Sequence, residues 1–319
     1  MSELVIAIPS KGRLKEQVED WLADCGLPLK TAGGDRGYVA RLDGLADVQV
    51  RLLSAAEIAT ALMAGDIHLG VTGEDLLREL ADAIETRVML LRPLGFGRAD
   101  LVVAAPKSWI DVETMADVDE VAHSYLARTG RRLRVATKYL TQTRAFFARH
   151  GVADYRIVES SGATEGAPAA GSAELVADIT TTGATLNANG LKVLADGLIL
   201  SSQAQLAASL VAQWDAHRLD LTRRLLGVVE ARARAQSTAT LIWPPEQDKA
   251  ARAAVADLAR EGAAAHSHGL LAGTDVLLRA AAALSAAGVG PVTVSNPAYV
   301  FEARSSAAEA LAGKVGGAF

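Results

Sequence analysis

The chain has 319 residues, 50% of them hydrophobic but only 4% aromatic, so its cores must be built from small aliphatic side chains. This length predicts about two to three compact units. A formal net charge of −5 argues against a nucleic-acid-binding protein that gains affinity by neutralising phosphates. The single cysteine, Cys25, excludes an internal disulfide and a thiolate metal cluster.

No segment approaches the roughly 20 consecutive apolar residues that would span a bilayer. The apolar run at residues 4–8 is too short for a secretory signal and has no basic segment before it. We therefore expect a cytoplasmic protein that associates with neither membranes nor nucleic acids.

Short apolar strands alternate with helical stretches along the first half of the chain. Strands are predicted at residues 4–8, 48–53, 68–71, 100–104, 134–136 and 156–159, and helices at 14–25, 55–64 and 141–150. This rhythm predicts an α/β fold with parallel strands and helices on both faces. The turn at residues 70–75 is rich in backbone N–H groups and opens a helix, whose first turn would contain Glu74 and Asp75.

The most informative stretch is residues 174–186, where an apolar strand ends in three threonines, a glycine and a fourth threonine. Such a turn can direct several N–H groups and hydroxyls into one concave site, which suits a phosphate monoester. Glu174 and Asp178 would repel phosphate but suit sugar hydroxyls or a magnesium ion. The pattern therefore indicates a ribose 5-phosphate site, although the same run could be only a polar turn after a strand.

After this loop, the pattern of alternating short strands and helices ends. The spacing of Leu206, Leu210 and Trp214 predicts one long amphipathic helix over residues 203–235, with a solvated arginine-rich face at residues 223, 224, 232 and 234. A strand at 238–243, helices at 246–260 and 275–287, and a strand at 291–295 predict a small α+β domain. Residues 262–273 have little strand character, so we expect this domain to be reduced.

Four stretches resemble the ATP phosphoribosyltransferases, which catalyse the first step of histidine biosynthesis. They are IPSKGRL (8–14), LGVTGEDL (69–76), SGATEGAP (161–168), and DITTTGATL (178–186) followed by NGL (189–191). The resemblance extends to about residue 235 and implies a two-lobed catalytic region like that of periplasmic binding proteins. Lobe one would comprise residues 1–98 and 187–235 and lobe two residues 99–186. Residues 236–319 would form a reduced, ferredoxin-like and regulatory domain.

The implied reaction joins N1 of ATP to C1 of phosphoribosyl pyrophosphate and releases pyrophosphate, with Mg2+ carried by the substrates rather than by a protein metal site. Lys11, Arg13 and Glu165 would be catalytic, and the two cations would act on the leaving pyrophosphate or on the phosphates of ATP. The implied substrate-binding residues are Arg51, Gly73, Glu174, Asp178, Thr181, Thr182, Gly183, Ala184 and Thr185.

The chain departs from the family pattern in two places in the catalytic region. Relatives usually have an arginine three residues before an acid at the end of the second strand of lobe one; here these positions are Ser54 and Glu57, with Arg51 as a nearby substitute for the arginine. A Cys-Arg pair expected at the lobe junction is also missing, and Arg98 would supply the shifted charge.

Two other classes stay open: a non-catalytic two-lobed module that binds small molecules, and a different phosphoribosyltransferase. The resemblance also implies a homo-oligomer, a dimer or larger, and leaves open a separate regulatory subunit.

Overall fold

The computed structural model describes residues 3–31, 39–81, 83–160, 162–260, 263–266 and 268–316. The chain divides into two compact units, one containing residues 1–20 and 29–215 and the other residues 21–28 and 216–319. Ser161, in the third motif above, and Gly262, in the segment with little strand character, lie outside the described residues. Within the part of the chain that is described, no helix has the length and apolar character needed to cross a bilayer.

The strands, in chain order, are β1 (Leu4–Pro9), β2 (Leu29–Thr31), β3 (Val39–Leu42), β4 (Leu45–Leu53), β5 (Leu69–Gly73), β6 (Val88–Pro93), β7 (Ala99–Pro106), β8 (Leu133–Thr137), β9 (Tyr155–Glu159), β10 (Leu175–Thr180), β11 (Leu191–Ser202), β12 (Ala204–Ser209), β13 (Thr238–Ile242), β14 (Ala264–His266), β15 (Gly269–Gly273) and β16 (Thr293–Ser295). The α-helices are α1 (Gly12–Asp24), α2 (Ala55–Ala64), α3 (Glu74–Leu80), α4 (Met115–Thr129), α5 (Leu140–Arg149), α6 (Ala184–Ala188), α7 (Ala216–Gln236), α8 (Asp248–Ala254), α9 (Ala256–Arg260), α10 (Leu277–Ala286) and α11 (Ser306–Lys314).

The first unit contains two sheets, one for each lobe. Lobe one has the strand order β2-β3-β4-β1-β5-β12-β6, and lobe two has the order β11-β7-β10-β8-β9. The central pairs β1–β4, β1–β5, β10–β8 and β8–β9 are parallel, so their carboxyl ends meet at one edge of each sheet. The predicted two-lobed α/β architecture is therefore confirmed.

The chain crosses between the lobes twice, and the two crossings are hydrogen-bonded to each other. The amide of Leu94 donates to the carbonyl of Ala204, and the amide of Ala204 donates to the carbonyl of Phe96. The amide of Gly95 also donates to the side chain of Gln203 at 3.1 Å. Residues 94–98 and Gln203 therefore form a paired connection and not two loose linkers.

The helix predicted over residues 203–235 is wrong in its first part. Residues 204–209 form β12, which lies between β5 and β6 and is buried at every position. A strand that is buried on both faces has no alternating pattern, so periodicity could not distinguish it from a helix.

The structure also moves the predicted domain boundaries. β11 pairs with β7 in lobe two, so residues 191–202 do not belong to lobe one. α7 falls in the second unit, twenty residues before the expected boundary at 236. The reason is packing, because the amide of Val300 donates to the carbonyl of Ala231 and Ser305 bonds to Glu230.

Asp75 joins the two lobes through a buried carboxylate. Its side chain on α3 accepts hydrogen bonds from the hydroxyl of Tyr139 at 2.7 Å and from the hydroxyl of Ser202 at 2.9 Å. One turn later, Glu79 accepts from the backbone amides of Thr141 and Gln142, which satisfies donors at the start of α5. Both expected first-turn carboxylates, Glu74 and Asp75, lie in α3, but their side chains bond to tertiary partners.

Between α7 and α11, the second unit follows a βαββαβ pattern in which α8 and α9 together take the place of the first helix, with the sheet order β14-β15-β13-β16. These strands pair antiparallel throughout, which is the ferredoxin-like arrangement. The segment that was expected to have little strand character forms the central hairpin, because β14 and β15 pair from Ala264 to Leu271. Small residues conceal this hairpin in the sequence because they have weak strand propensity.

Part of the arginine-rich face of α7 is structural and not simply solvated. Arg232 binds Asp24 through two nitrogens, at 2.5 and 3.0 Å, and Arg234 donates to the carbonyl of Val300. The C-terminal segment forms α11, whose N-cap Ser305 accepts from the amide of Ala308 and donates to buried Glu230.

Glu174 closes the amino-terminal end of β10 against β8. Its carboxylate, 14% exposed, accepts from the guanidinium of Arg134 at 2.7 Å, from the Arg134 amide at 2.7 Å and from the hydroxyl of Tyr125 at 3.2 Å. Burial alone would raise the pKa of Glu174, but together these hydrogen bonds and the charge of Arg134 hold it below its usual value.

Replacing Tyr139 by phenylalanine is expected to destabilise the first unit by about 1–3 kcal/mol, because buried Asp75 loses one of its donors. Urea or thermal unfolding measures the change. Tyr155→Phe is the matched control, since the described residues supply no hydrogen-bond partner for the Tyr155 hydroxyl. Equal losses in the two variants would contradict the assigned role of the Asp75–Tyr139 bond.

Replacing Glu174 by glutamine is expected to lower stability near neutral pH by about 1–2 kcal/mol, because a charge-assisted bond to Arg134 is lost. Since the folded pKa is depressed, this stabilisation is present above the unfolded pKa of about 4.3 and disappears as pH falls through the folded value. The unfolding midpoints of wild type and variant should therefore converge in acid. Glu159→Gln, at the exposed end of β9, is the control and should show no such convergence.

Candidate active site

The threonine loop connects β10 to α6 by a sharp turn at Gly183. This glycine has φ +73°, a left-handed conformation that favours glycine. Its amide donates to the hydroxyl of Thr180 at 2.8 Å, which folds the loop back onto the end of the strand. The turn therefore presents residues 180–185 as a compact arc.

The backbone amides of this arc after Thr180 are not used by backbone carbonyls of the described residues, and a pocket lies beside the arc. Among the hydrogen bonds of the described residues, no backbone carbonyl accepts from the amides of residues 181–185. The pocket measures about 220 Å3 and is lined by Ala99, Ile179, Thr180, Thr181, Thr182, Ala184 and Thr185. Amides and hydroxyls that converge on one concave site are suited to a phosphate dianion.

A second pocket adjoins the first and contains two arginines. It measures about 460 Å3 and is lined by Arg13, Leu14, Gln17, Gly95, Phe96, Gly97, Arg98 and Thr181. Thr181 lines both pockets, and its hydroxyl donates to the carbonyl of Arg98 at 3.4 Å. The structure thus brings Arg13 of lobe one, Arg98 of the crossing and the loop of lobe two to one place.

Lys11 lies at the carboxyl edge of the lobe-one sheet, exposed, in the turn after β1. This turn is tied to the end of β4 by a bond from the Ser10 amide to the Leu53 carbonyl. Hydrogen bonds from Ser54 hold the pKa of Glu57 below its usual value, and the positive charge of Lys11 adds to this effect. Lys11 is thus close enough to the start of α2 for its charge to act on Glu57.

Ser54, at the position of the expected arginine, and Glu57, at the position of the expected acid, have a structural role. Ser54 and Glu57 form a capping box, in which the Ser54 side chain accepts from the Glu57 amide and Glu57 accepts from the Ser54 amide at 2.8 Å. Arg51 does not substitute for the missing charge, because its guanidinium donates to Gln49 and to the carbonyl of Asp66. Asp66 precedes β5, at the opposite edge of the sheet.

Gly73 lines neither pocket, and its lack of a side chain has another reason. A Cβ at this position would clash with Oδ1 of Asp75. The glycine therefore makes room for the carboxylate that joins the lobes, and the assignment of Gly73 to substrate is not supported.

Asp178 and Glu165 lie at the carboxyl edge of the lobe-two sheet. Glu165 is in a 3-10 turn at Thr164–Gly166 and Asp178 is near the end of β10. Burial raises the pKa of Asp178, the Ile179 amide and Lys138 oppose that rise, and the charge of Glu165 adds to it. The negative charge of Glu165 and the positive charge of Lys138 therefore both act on Asp178.

Glu174 is not brought to this edge. It precedes β10 by one residue and lies four residues before Asp178, which is about 13 Å along an extended strand. Its carboxylate is already occupied by Arg134 and Tyr125. Glu174 therefore does not lie beside Asp178, and the expectation that the two carboxylates together hold the sugar hydroxyls is wrong.

Two neighbouring residues were missed by sequence reasoning. Lys138 and Tyr139 follow β8 directly, at the same edge as the threonine loop. The available signal was their position, because residues just after the carboxyl ends of parallel strands commonly line the sites of α/β proteins.

Among the described residues, no three histidine, cysteine or acidic side chains lie close enough to hold a metal ion. The carboxylates of Asp178 and Glu165 could still contact the water shell of a magnesium ion, which usually takes only one or two protein carboxylates beside phosphate oxygens. The residues present thus fit an ion that arrives with a phosphorylated substrate.

Comparison with known proteins identifies the family of the chain. A family model described as HisG: ATP phosphoribosyltransferase matches residues 54–227. The ATP phosphoribosyltransferase of Rhodopseudomonas palustris (strain BisB18) is 57% identical over 232 residues, which are 72% of this chain and 71% of that protein. A solved structure, the ATP phosphoribosyl transferase (HisG:HisZ) complex from Thermotoga maritima, matches with a TM-score of 0.54 and 25% identity, covering 71% of this chain and 96% of that chain.

One relative extends over nearly the whole molecule. The ATP phosphoribosyltransferase of Caulobacter vibrioides (strain NA1000 / CB15N) is 69% identical over 316 residues, which are 98% of this chain and 99% of that protein. At this identity and coverage, the C-terminal unit is shared as well as the two lobes. The chain belongs to the ATP phosphoribosyltransferase family, whose members catalyse the first step of histidine biosynthesis.

Proposed function

We propose that the threonine loop of this ATP phosphoribosyltransferase binds the 5-phosphate of phosphoribosyl pyrophosphate. The observation that carries the proposal is the set of amides at residues 181–185, which have no carbonyl acceptor among the described residues. Two of these amides, those of Gly183 and Ala184, donate to threonine hydroxyls of the same loop, and the loop lines a pocket. A phosphate in this pocket would accept from several short donors, with no carboxylate among the lining residues.

Asp178 is then placed to hold the ribose hydroxyls. It stands two residues before the loop, at the end of the strand that delivers it. As the C1–O bond of the sugar lengthens, positive charge builds at C1, and a carboxylate fixed beside the ring stabilises that charge. Glu165, whose charge acts on Asp178, adds negative potential at the same place.

Arg13 and Arg98 supply positive charge for the phosphate groups of the two substrates. Both line the pocket that adjoins the loop, and Lys11 lies in the same turn as Arg13. The reaction needs this charge because it consumes one polyphosphate and releases another.

The reaction itself requires alignment more than proton transfer. The lone pair of adenine N1 attacks C1, the C1–O bond breaks with inversion, and its electron pair leaves on pyrophosphate. No proton has to leave N1 before the attack, so the two lobes contribute chiefly by holding the reacting atoms in line.

Enzymes of this family use a metal ion, and we assign it as Mg2+. When bound, the ion would neutralise charge on the pyrophosphate group. Asp178 and Glu165 are the carboxylates placed to receive the hydrated ion at the lobe-two edge.

The assembly is expected to be a homo-oligomer. The Thermotoga maritima relative is described as a HisG:HisZ complex, so a separate regulatory subunit stays an alternative for this chain. Its own ferredoxin-like unit, at residues 216–319, offers a regulatory domain within the same polypeptide. A cytoplasmic location, where both phosphorylated substrates are available, also stays a prediction.

The variants Asp178→Asn and Thr182→Val test the site. Each is expected to weaken phosphoribosyl pyrophosphate binding by about tenfold or more, because a hydrogen bond to a charged or hydroxylated substrate is lost. Steady-state assays that follow absorbance of the N1-substituted product measure the change in KM. Thr60→Ala, on the exposed face of α2, is the matched control and should leave the kinetics unchanged.

The same assay separates the alternatives. A binding module without catalysis would give no product, and another phosphoribosyltransferase would accept a different base in place of ATP. Unchanged kinetics in both Asp178→Asn and Thr182→Val would show that the pocket is misassigned.

Removing divalent cations with EDTA is expected to abolish turnover, and Mg2+ should restore it. The thermal unfolding midpoint of the ligand-free protein should not change with EDTA, because the ion arrives with substrate. Full activity in EDTA would contradict the metal requirement. A large loss of stability would point to a resident structural metal instead.

A further inference from the structure

Lys138 is an exposed cation at the carboxyl edge of lobe two. The parallel register pairs Val135 with Leu175 and Ala136 with Val176, and its continuation places Lys138 level with Asp178. Within the described residues Lys138 forms no ion pair, and its Nζ lies 5.0 Å from the centroid of the Tyr139 ring. Lys138 thus presents an ammonium group with no carboxylate bound to it, beside the carboxylate proposed to hold the sugar.

The backbone that follows Lys138 is fixed by the buried contacts of Tyr139. The next residue, Tyr139, is 1% exposed, its amide donates to the hydroxyl of Thr137 at 2.9 Å, and its own hydroxyl reaches Asp75. A lysine on such a fixed turn can be aimed at a ligand with less loss of conformational freedom than one on a mobile loop.

The strand order β7-β10-β8 places the pocket, Asp178 and Lys138 in sequence along the carboxyl edge of the sheet. The 220 Å3 pocket lies toward β7, because Ala99 lines it and Thr181 bonds to the carbonyl of Arg98. Asp178 follows on β10, and Lys138 on β8 is one strand further, about 4.8 Å away in the sheet. A sugar with its 5-phosphate in the pocket and its hydroxyls at Asp178 therefore directs C1 toward Lys138.

We propose that Lys138 binds the pyrophosphate group of phosphoribosyl pyrophosphate and stabilises it as it leaves. When the C1–O bond breaks, its electron pair passes to the departing oxygen, and the ammonium group donates hydrogen bonds to the increased negative charge while keeping its own protons. Lys138 is in this sense a catalytic residue. The inference rests on the proposed placement of the 5-phosphate in the threonine loop.

A simpler role would be that Lys138 only compensates the charge of Asp178. Two ligands, each of which contains a different part of the substrate, distinguish these roles. Ribose 5-phosphate needs the loop and Asp178 but has no pyrophosphate, whereas inorganic pyrophosphate with Mg2+ probes the leaving-group site alone.

The experiment is isothermal titration of both ligands into the full-length protein, with wild type, Lys138→Met and Lys138→Arg. Methionine keeps a similar unbranched length and removes the charge. We expect Lys138→Met to weaken pyrophosphate binding by about tenfold to a hundredfold, as for loss of a hydrogen bond between charged groups, and to change ribose 5-phosphate binding less than about twofold. Lys138→Arg should retain most of the pyrophosphate affinity.

Lys249→Met, an exposed lysine of α8, is the matched control and should leave both affinities unchanged. Unchanged pyrophosphate binding in Lys138→Met would overturn the inference, and so would an equal weakening of both ligands, which is the signature of charge compensation at Asp178. Failure of the loop assignment gives a different result, because Thr182→Val would then leave ribose 5-phosphate binding intact whatever Lys138 does.

Discussion

The carboxylate of Asp75 is the contact on which the geometry of the first unit depends. It is 7% exposed and accepts from Tyr139 of lobe two and from Ser202, where the chain returns to lobe one. A buried charge without such donors would be costly, so the lobes are fixed at this point by a requirement for hydrogen bonds and not only by apolar packing. Glu79 extends the same contact by satisfying the start of α5. The relative position of Arg13 and the threonine loop follows from this connection.

The residues that we propose for substrate binding and catalysis lie at the carboxyl edges of two sheets. Lobe one contributes the turn with Lys11 and Arg13 after β1, and lobe two contributes Lys138, Glu165, Asp178 and the threonine loop after three parallel strands. The Glu174–Arg134 ion pair lies at the opposite edge of the lobe-two sheet, where it stabilises the fold. Acidic residues four positions apart in the sequence therefore serve different purposes, since an extended strand carries them to opposite edges.

Sequence reasoning identified what local patterns encode. The threonine loop, the cations beside Gly12 and the α/β order of the first half all depend on residues close together in the chain, and the structure agrees on their placement. The prediction that Glu174 holds the sugar is wrong because its partner Arg134 lies forty positions away in the chain, and no local pattern near Glu174 indicates this ion pair. β12 and the β14–β15 hairpin were missed for a related reason, since burial on both faces and small side chains remove the alternation that identifies a strand. Tyr139 and Asp75 could be linked only after the fold had brought α3 and α5 together.

The capping box at Ser54 and Glu57 has a consequence for how anions are held. This position starts a helix, so the positive charge beside the threonine loop comes from Arg13 and Arg98, and Arg98 lies on a crossing where Gly95 and Gly97 both adopt left-handed φ values. An anion bound by Arg98 would therefore contact the connection between the lobes and not the end of a strand. The segment that joins the two lobes thus also carries one of the positive charges that the pocket offers to an anion.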